Sequence, residues 1–355
     1  MTDVHVVVPD GIDDPLRPSG GNVYDRRVCR GLAAIGWSVH EHPAAGRWPW
    51  ADAAARAGLA EVLSGVPRGG LVLLDGLVAS ATPEVLARQA DRLRLVVLMH
   101  MPLGEKASPD GVLDARAAER AALFAADAVV TTSKWTRQRL HDLYAMPAGR
   151  VHVVEPGVER VDLAPGTAAG GELLCVAAVT SSKGHDVLIT ALARVRDLPW
   201  RCVCVGSLDL EPDFVDHLRS RAERFDVTDR VHFTGPLTGT DLGDAYAQAD
   251  VLVLPSLAET YAMVVTEALA RGLPVVATRV GGVPEALGRS ADGAAPGVLV
   301  PSGNARDLAD ALRCWLTDTG RRHRLRNAAQ RRRLTLPDWW KTSLLMSRIL
   351  TEVIG

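Results

Sequence analysis

The chain reads as an α/β protein built from two doubly wound domains. Three observations carry that expectation. Short runs rich in Val and Leu alternate with stretches of helical length, as parallel strands buried on both faces do. An aperiodic segment of Gly, Ala and Pro interrupts the alternation once, over residues 157–171. A length of 355 residues with 47% hydrophobic side chains is about twice that of a common single domain.

In chain order, the first series of strands is expected near Val4–Val8, Ser38–His42, Leu71–Leu74, Leu95–Met99, Ala128–Thr131 and Val151–Val154. The second is expected near Leu173–Ala177, Cys202–Val205, Val231–Thr234, Val251–Leu254, Val275–Ala277 and Val298–Val300. The expected domains are residues 1–160 and 161–335. Residues 336–355 hold Pro337, just after which an amphipathic helix is read, and are expected to pack back on the first domain. Ligands of doubly wound sheets bind beyond the carboxyl ends of the strands, so a crevice is expected there and between the domains.

Composition excludes several classes. The net charge of −2 lacks the basic excess that phosphate neutralisation on a nucleic acid requires. The opening residues lack the basic and apolar regions of a signal peptide, and no apolar run nears the roughly 20 residues that span a bilayer. The expected setting is cytoplasmic, with contact at a membrane surface kept as an alternative. Cys29, Cys175, Cys202, Cys204 and Cys314 are odd in number and scattered, which fits reduced core thiols better than disulfides. The cluster from Arg321 to Arg333 reads as a solvated helix face, because no long apolar anchors are interleaved with it.

The segment from Pro255 to Ala277 carries the chemistry. It reads as strand, loop, helix, turn and strand, with Glu259 in the loop and Glu267 inside the helix. A helix starting near Tyr261 would put Glu267 about 9 Å along its axis. Free amides at the helix start can hold a diphosphate, and carboxylates on either side can accept from hydroxyl groups. The plain alternative makes Glu259 a loop charge and Glu267 a solvated helix residue. The apolar neighbours Ala268, Leu269 and Ala270 make full solvation of Glu267 less natural.

This segment resembles the Glu-x7-Glu region of the retaining glycosyltransferases of family four. The resemblance implies a GT-B fold of two Rossmann-like domains facing each other across a cleft, and a nucleotide diphosphate sugar as donor. It implies that Glu259 binds the donor sugar, that Glu267 binds the nucleotide ribose, and that the backbone of Thr260, Tyr261 and Ala262 meets sugar and phosphate. Ala262 stands where the family usually has glycine. A second match begins the later domain, where residues 176–189 are similar to a strand followed by a basic phosphate clamp. Lys183 fills the lysine position, while the usual arginine five residues earlier is Ala178. Only Lys106, Lys134, Lys183 and Lys341 are lysines among 40 basic residues, so a lysine directly before Gly184 is not a casual choice.

The glycine pair Gly20 and Gly21, between the first strand and a helix, lets backbone amides approach a ligand. Such pairs are often ordinary turns, but the resemblance implies a loop facing donor phosphate and acceptor. His100 ends a strand, where an isolated histidine is more often structural; the resemblance implies contact with the donor sugar near its reacting carbon. Asp75 and Met101 are expected to border the acceptor. Similar short matches run through residues 126–134, 154–157, 281–285 and 297–302.

No Asp-x-Asp pair, P-loop, zinc helix, Gly-x-Ser-x-Gly elbow or Gly-x-Gly-x-x-Gly turn occurs. With no Asp-x-Asp pair, no metal or cofactor is expected; the resemblance implies sugar transfer with retention, and the expected acceptor is a small-molecule hydroxyl. A nucleotide-sugar epimerase or hydrolase, a lipid-acceptor transferase at a membrane surface, and a non-catalytic binding module are the alternatives.

Overall fold

The computed structural model describes residues 2–104 and 112–355 and divides into two units. One comprises Met1–Asp13, Ser19–Gly157 and Pro337–Gly355; the other comprises Asp14–Pro18 and Val158–Leu336.

The first unit begins with β1 (Thr2–Pro9), α1 (Gly20–Ala34), β2 (Trp37–Ala44), α2 (Ala53–Gly65), β3 (Leu71–Asp75), α3 (Gly76–Ser80) and α4 (Pro83–Gln89). It continues through β4 (Arg94–Met99), α5 (Val112–Ala125), β5 (Ala128–Thr131), α6 (Lys134–Tyr144) and β6 (Val151–Val153). Its six strands are parallel in the order β2-β1-β3-β4-β5-β6. Every residue of β3 and β5 is buried, as expected of strands covered on both faces. The helices start where side chains replace missing acceptors: Ser19 takes the amide of Asn22, Asp52 that of Ala55, and Ser133 that of Thr136.

The second unit runs β7 (Glu172–Val176), α7 (His185–Ala193), β8 (Arg201–Val205), α8 (Pro212–Arg224), β9 (Val231–Gly235), α9 (Gly239–Gln248) and β10 (Val251–Leu254). It ends with α10 (Met263–Ala270), β11 (Val275–Thr278), α11 (Val283–Leu287), β12 (Gly297–Val300), α12 (Ala305–Thr317) and α13 (Thr319–Arg333). Its parallel order is β12-β11-β10-β7-β8-β9, with apolar clusters filling both faces of the sheet. Cys202 and Cys204 pack in one of these clusters, and all five cysteines are free thiols. Every expected strand forms, with ends shifted by a residue or two. No helix among the described residues is long and apolar enough to cross a membrane.

The basic cluster departs from expectation. Arg324 and Arg331 are exposed, but four other arginines of α13 and its end turn inward and donate to carbonyls of their own unit. Arg322 reaches the oxygens of Trp315 (3.1 Å) and Leu316 (3.0 Å), Arg326 that of Ala164 (2.8 Å), Arg332 that of Leu287 (3.2 Å), and Arg333 that of Val161. A Cβ at Gly166 would stand 2.3 Å from the Arg326 guanidinium, and one at Gly170 would stand 2.5 Å from Arg322. The glycines of the aperiodic segment thus make seats for arginines, and each guanidinium satisfies carbonyls that regular structure leaves unpaired.

The last helix, α14 (Trp339–Ile354), belongs to the first unit and lies on α1. Trp37 Nε1 donates to Ser347 Oγ at 2.8 Å, and Thr342 Oγ1 donates to the Glu155 carbonyl at 2.9 Å. Gly31 permits the approach, because a Cβ there would fall 1.8 Å from Ser343 Oγ. Gly31→Val is therefore expected to destabilise the first unit by about 1–3 kcal/mol through overpacking, read as a lower thermal midpoint in calorimetry. An unchanged midpoint would mean that α14 is not held through this contact.

Candidate functional site

Doubly wound sheets open a crevice where the strand order reverses. The reversal falls between β7 and β10 in the second unit and between β1 and β3 in the first. At both places, side chains singled out from the sequence gather.

In the second unit the turn Ser181–Lys183 follows β7 and the loop from Pro255 follows β10. Gly184 closes the turn at φ +69°, and a Cβ on it would lie 2.2 Å from the Pro255 carbonyl oxygen. Only glycine allows both that dihedral and that approach without strain. Leu257 N then donates to the Ser182 carbonyl at 2.9 Å, fastening turn to loop. Lys183 Nζ consequently donates to Glu259 Oε1 at 2.8 Å, and Ser256 Oγ donates to the same oxygen at 2.7 Å. From the other side the loop rests on Gly281 and Gly282, where a Cβ would fall 1.5 Å from the Glu259 carbonyl oxygen and 2.2 Å from the Thr260 carbonyl oxygen.

The helix after this loop begins at Met263, not near Tyr261. Ala262 takes a left-handed conformation, φ 74° and ψ 71°, which no right-handed helix can include, so the first turn starts one residue later. Tyr261 turns its side chain into the core. Glu267 therefore sits about 6 Å from the helix start rather than 9 Å, at 1.5 Å per residue. Its carboxylate accepts from the buried Tyr246 hydroxyl at 2.8 Å, with Arg271 stacked 4.5 Å above the Tyr246 ring. Burial raises the Glu267 pKa, while that hydrogen bond and the Arg271 charge oppose the rise. Glu267 is thus half-buried and partnered, not a solvated helix residue. Ala178 brings no side-chain donor; among the described residues Lys183 is the cation paired with Glu259.

In the first unit Gly20 opens α1, and Gly21, Tyr24 and Asp25 lie on one face of its first turns, at the i, i+3 and i+4 spacing. Asp75 ends β3 and His100 follows β4. His100 Nε2 is 2.7 Å from Asp25 Oδ1 and 3.7 Å from Asp75 Oδ2. A Cβ on Gly21 would meet His100 Cδ2 at 3.3 Å, so this glycine makes room for the ring. Tyr24 lies edge-on to the imidazole and donates its hydroxyl to the Val154 carbonyl at 2.9 Å. Asp75 also accepts the amides of Leu77 (2.7 Å) and Val78 (3.4 Å), capping α3. Burial, with the Asp25 charge nearby, pushes the Asp75 carboxyl up to about 7. Burial disfavours charge on His100, but the charge and hydrogen bond of Asp25, with the charge of Asp75, outweigh it and raise its pKa.

The donor atoms of Asp25, Asp75 and His100 lie within 4.8 Å of one another. A divalent ion bound at about 2.0–2.2 Å to each would hold its ligands about 3 Å or more apart. The 2.7 Å separation of His100 and Asp25 is instead a hydrogen-bond length.

Met101 is half-buried, and the loop it opens is anchored by a residue the sequence reading missed. Glu119, fully buried, accepts from Ser80 Oγ (3.0 Å), the amides of Leu103 (2.9 Å) and Gly104 (3.0 Å), and the Tyr144 hydroxyl. Asp25, Ser256 and Tyr246 were missed as well. Of these only Asp25 had a sequence signal, its position one helical turn after Gly21.

Two outcomes follow from this geometry. Ala262→Gly should relieve the left-handed alanine and stabilise the second unit by about 0.5–1 kcal/mol, after the entropic cost of glycine, as seen in denaturant melts. A carboxyl whose folded pKa is raised favours folding at low pH and loses that contribution as pH rises from 3.8 toward about 7. Asp75→Asn should accordingly flatten the fall in thermal midpoint between about pH 4 and pH 7; an unaltered fall would reject the assignment.

A family model described as Glycosyltransferase Family 4 matches residues 3–161, and one described as Glycosyl transferases group 1 matches residues 170–332. A D-inositol 3-phosphate glycosyltransferase of Kineococcus radiotolerans is 33% identical over 237 residues, covering 60% of this chain and 54% of that protein. One from Catenulispora acidiphila is 30% identical over 277 residues, 72% of this chain and 64% of the relative. The chain spans about half the length of the first of these relatives. Among solved structures, sucrose-phosphate synthase from Thermosynechococcus elongatus shares the fold at a TM-score of 0.78 and 22% identity over 99% of both chains. The Anabaena protein HepE in complex with UDP and glucose does so at 0.76 and 19% identity, over 99% of this chain and 100% of that one. With both halves matched in order by these two models, the chain belongs to the family-four glycosyltransferases and has their two-domain GT-B fold.

Proposed function

We propose that this chain transfers a sugar from a nucleoside diphosphate sugar to a hydroxyl group of a small-molecule acceptor, with retention at the anomeric carbon and without a metal ion. The observation that carries the reading is the Lys183–Glu259 pair, held at 2.8 Å beside the left-handed residue that opens α10. In this reading the diphosphate meets the Lys183 ammonium and the first amides of the helix, where Ala262 supplies no side-chain cap. Glu259, kept oriented by Ser256, accepts from sugar hydroxyls, and Glu267, kept oriented by Tyr246, accepts from the ribose.

The bond from the anomeric carbon to the phosphate oxygen breaks as the acceptor oxygen bonds to the same face. The acceptor proton passes to the departing phosphate oxygen. Lys183 stabilises the charge that develops on that oxygen, the task a divalent ion performs in metal-dependent transferases. The cytoplasm is the proposed setting. D-inositol 3-phosphate, named for the relatives, is the first acceptor to assay.

Lys183→Ala is expected to lower kcat by about 10²-fold or more, as loss of a charge-stabilising donor does. Glu259→Gln and Glu267→Gln, which keep an acceptor oxygen for Ser256 and Tyr246, should mainly weaken donor binding, with thermal midpoints little changed in the absence of ligand. Turnover equal to the parent in all three would reject the assignment. Rapid consumption of donor without any acceptor would favour an epimerase or hydrolase instead.

A further inference from the structure

The transferase reading assigns His100 a contact with substrate but leaves its protonation and aim open. Two edges of its ring are accounted for, and a third contact is made by Tyr24. Nε2 faces two carboxylates, Asp25 at 2.7 Å and Asp75 at 3.7 Å. The Cγ–Cδ2 edge rests on Gly21, and Tyr24 meets the ring edge-on. The edge that carries Nδ1 remains. Among the described residues no hydrogen bond reaches Nδ1, and the buried atoms that lack a partner include only His185 Nδ1. His100 Nδ1 is not among those buried atoms, so it belongs to the 18% of the side chain that is exposed.

We propose that Asp25 is a positioning residue which, with Asp75, locks Nε2–H of His100 inward and so presents Nδ1–H as a fixed hydrogen-bond donor to a substrate oxygen. The argument is one of valence and charge. A carboxylate can only accept, so the ring nitrogen 2.7 Å from Asp25 Oδ1 must carry a proton. Asp25 and Asp75 are 2% and 4% exposed, and a pair of buried carboxylates without a cation is unfavourable. An imidazolium offsets both at once, and an imidazolium carries a hydrogen on each nitrogen. His100 is then a donor and a local positive charge, not the base that takes the acceptor proton. Among the described residues, the titratable groups facing its ring are Asp25 and Tyr24 from α1 and Asp75 from the end of β3. The Tyr24 hydroxyl is engaged with the Val154 carbonyl. The raised pKa of His100 agrees with this picture.

The inference rests on the transferase reading for its role in turnover, so the test has an arm that needs no activity. The histidine ring signals of the full chain are titrated by NMR, and His100 is assigned by the signal lost in His100→Gln. In the parent, His100 should titrate above 6.5, the ordinary histidine value. In Asp25→Asn the midpoint should fall by about one pH unit or more, as removal of an adjacent opposite charge does. Asp75→Asn should lower it by less, and Asp25→Glu should restore it. In assays, the alkaline limb of kcat/KM should move to lower pH with Asp25→Asn, whereas a purely structural role would lower activity at every pH alike. A His100 midpoint at or below 6.5 in the parent, or one unmoved by Asp25→Asn, overturns the proposal. So would His100 signals that change on treatment with EDTA, since a cation rather than a proton would then join the three groups. A limb that stays in place while the NMR midpoint moves removes the donor role in turnover.

Discussion

The second unit's site depends on one close approach of backbone to backbone, that of Gly184 to the Pro255 carbonyl. Any side chain at 184 would collide with that oxygen, because a Cβ would stand 2.2 Å from it. The approach ties the turn after β7 to the loop after β10, the two strands that flank the reversal of the sheet. The ammonium of Lys183 then reaches the Glu259 carboxylate without either side chain being free to wander. Gly281 and Gly282 hold the same loop from its far side. A pair positioned this way is preorganised by backbone packing, which positions charge more firmly than the pair's own modest attraction could.

The first unit solves a different problem at its own strand reversal. Asp25 and Asp75 are buried close together, and two like charges in such a place raise the free energy of the folded chain. His100 relieves them from the one direction left open by Gly21 and Tyr24. Glu119, a few residues away in the fold, shows the contrasting solution. Its carboxylate is fully buried but surrounded by hydroxyl and amide donors, so no cation is needed. One carboxylate group anchors the Met101–Gly104 loop; the other pair sets the state of a histidine.

Arginines serve the scaffold more than the site. Of the basic run in α13, four guanidiniums cap carbonyls of the aperiodic segment and of the ends of α11 and α12. A charge pattern alone could not separate these from solvated side chains, because the distinction lies in which carbonyls pass within reach. The planar, multiply donating guanidinium suits that task, which fits a chain with very few lysines.

The strands were legible because parallel strands buried on both faces must be apolar along their length, and no other short element demands that. Gly-rich turns at strand ends were legible for a related reason, since each is required by local geometry. Lys183, Glu259 and His100 stand beside such turns or strand ends, Glu267 was marked by its apolar helical neighbours, and the family resemblance gave all four their roles. What the sequence by itself determined was therefore the periodicity and the places where a Cβ is not tolerated. Tertiary structure alone decided the partners: Asp25 with His100, Lys183 with Glu259, and Tyr246 with Glu267. Periodicity is a property of neighbours along the chain. A hydrogen bond between residues 75 apart depends on how separate elements pack, and no local pattern encodes that distance.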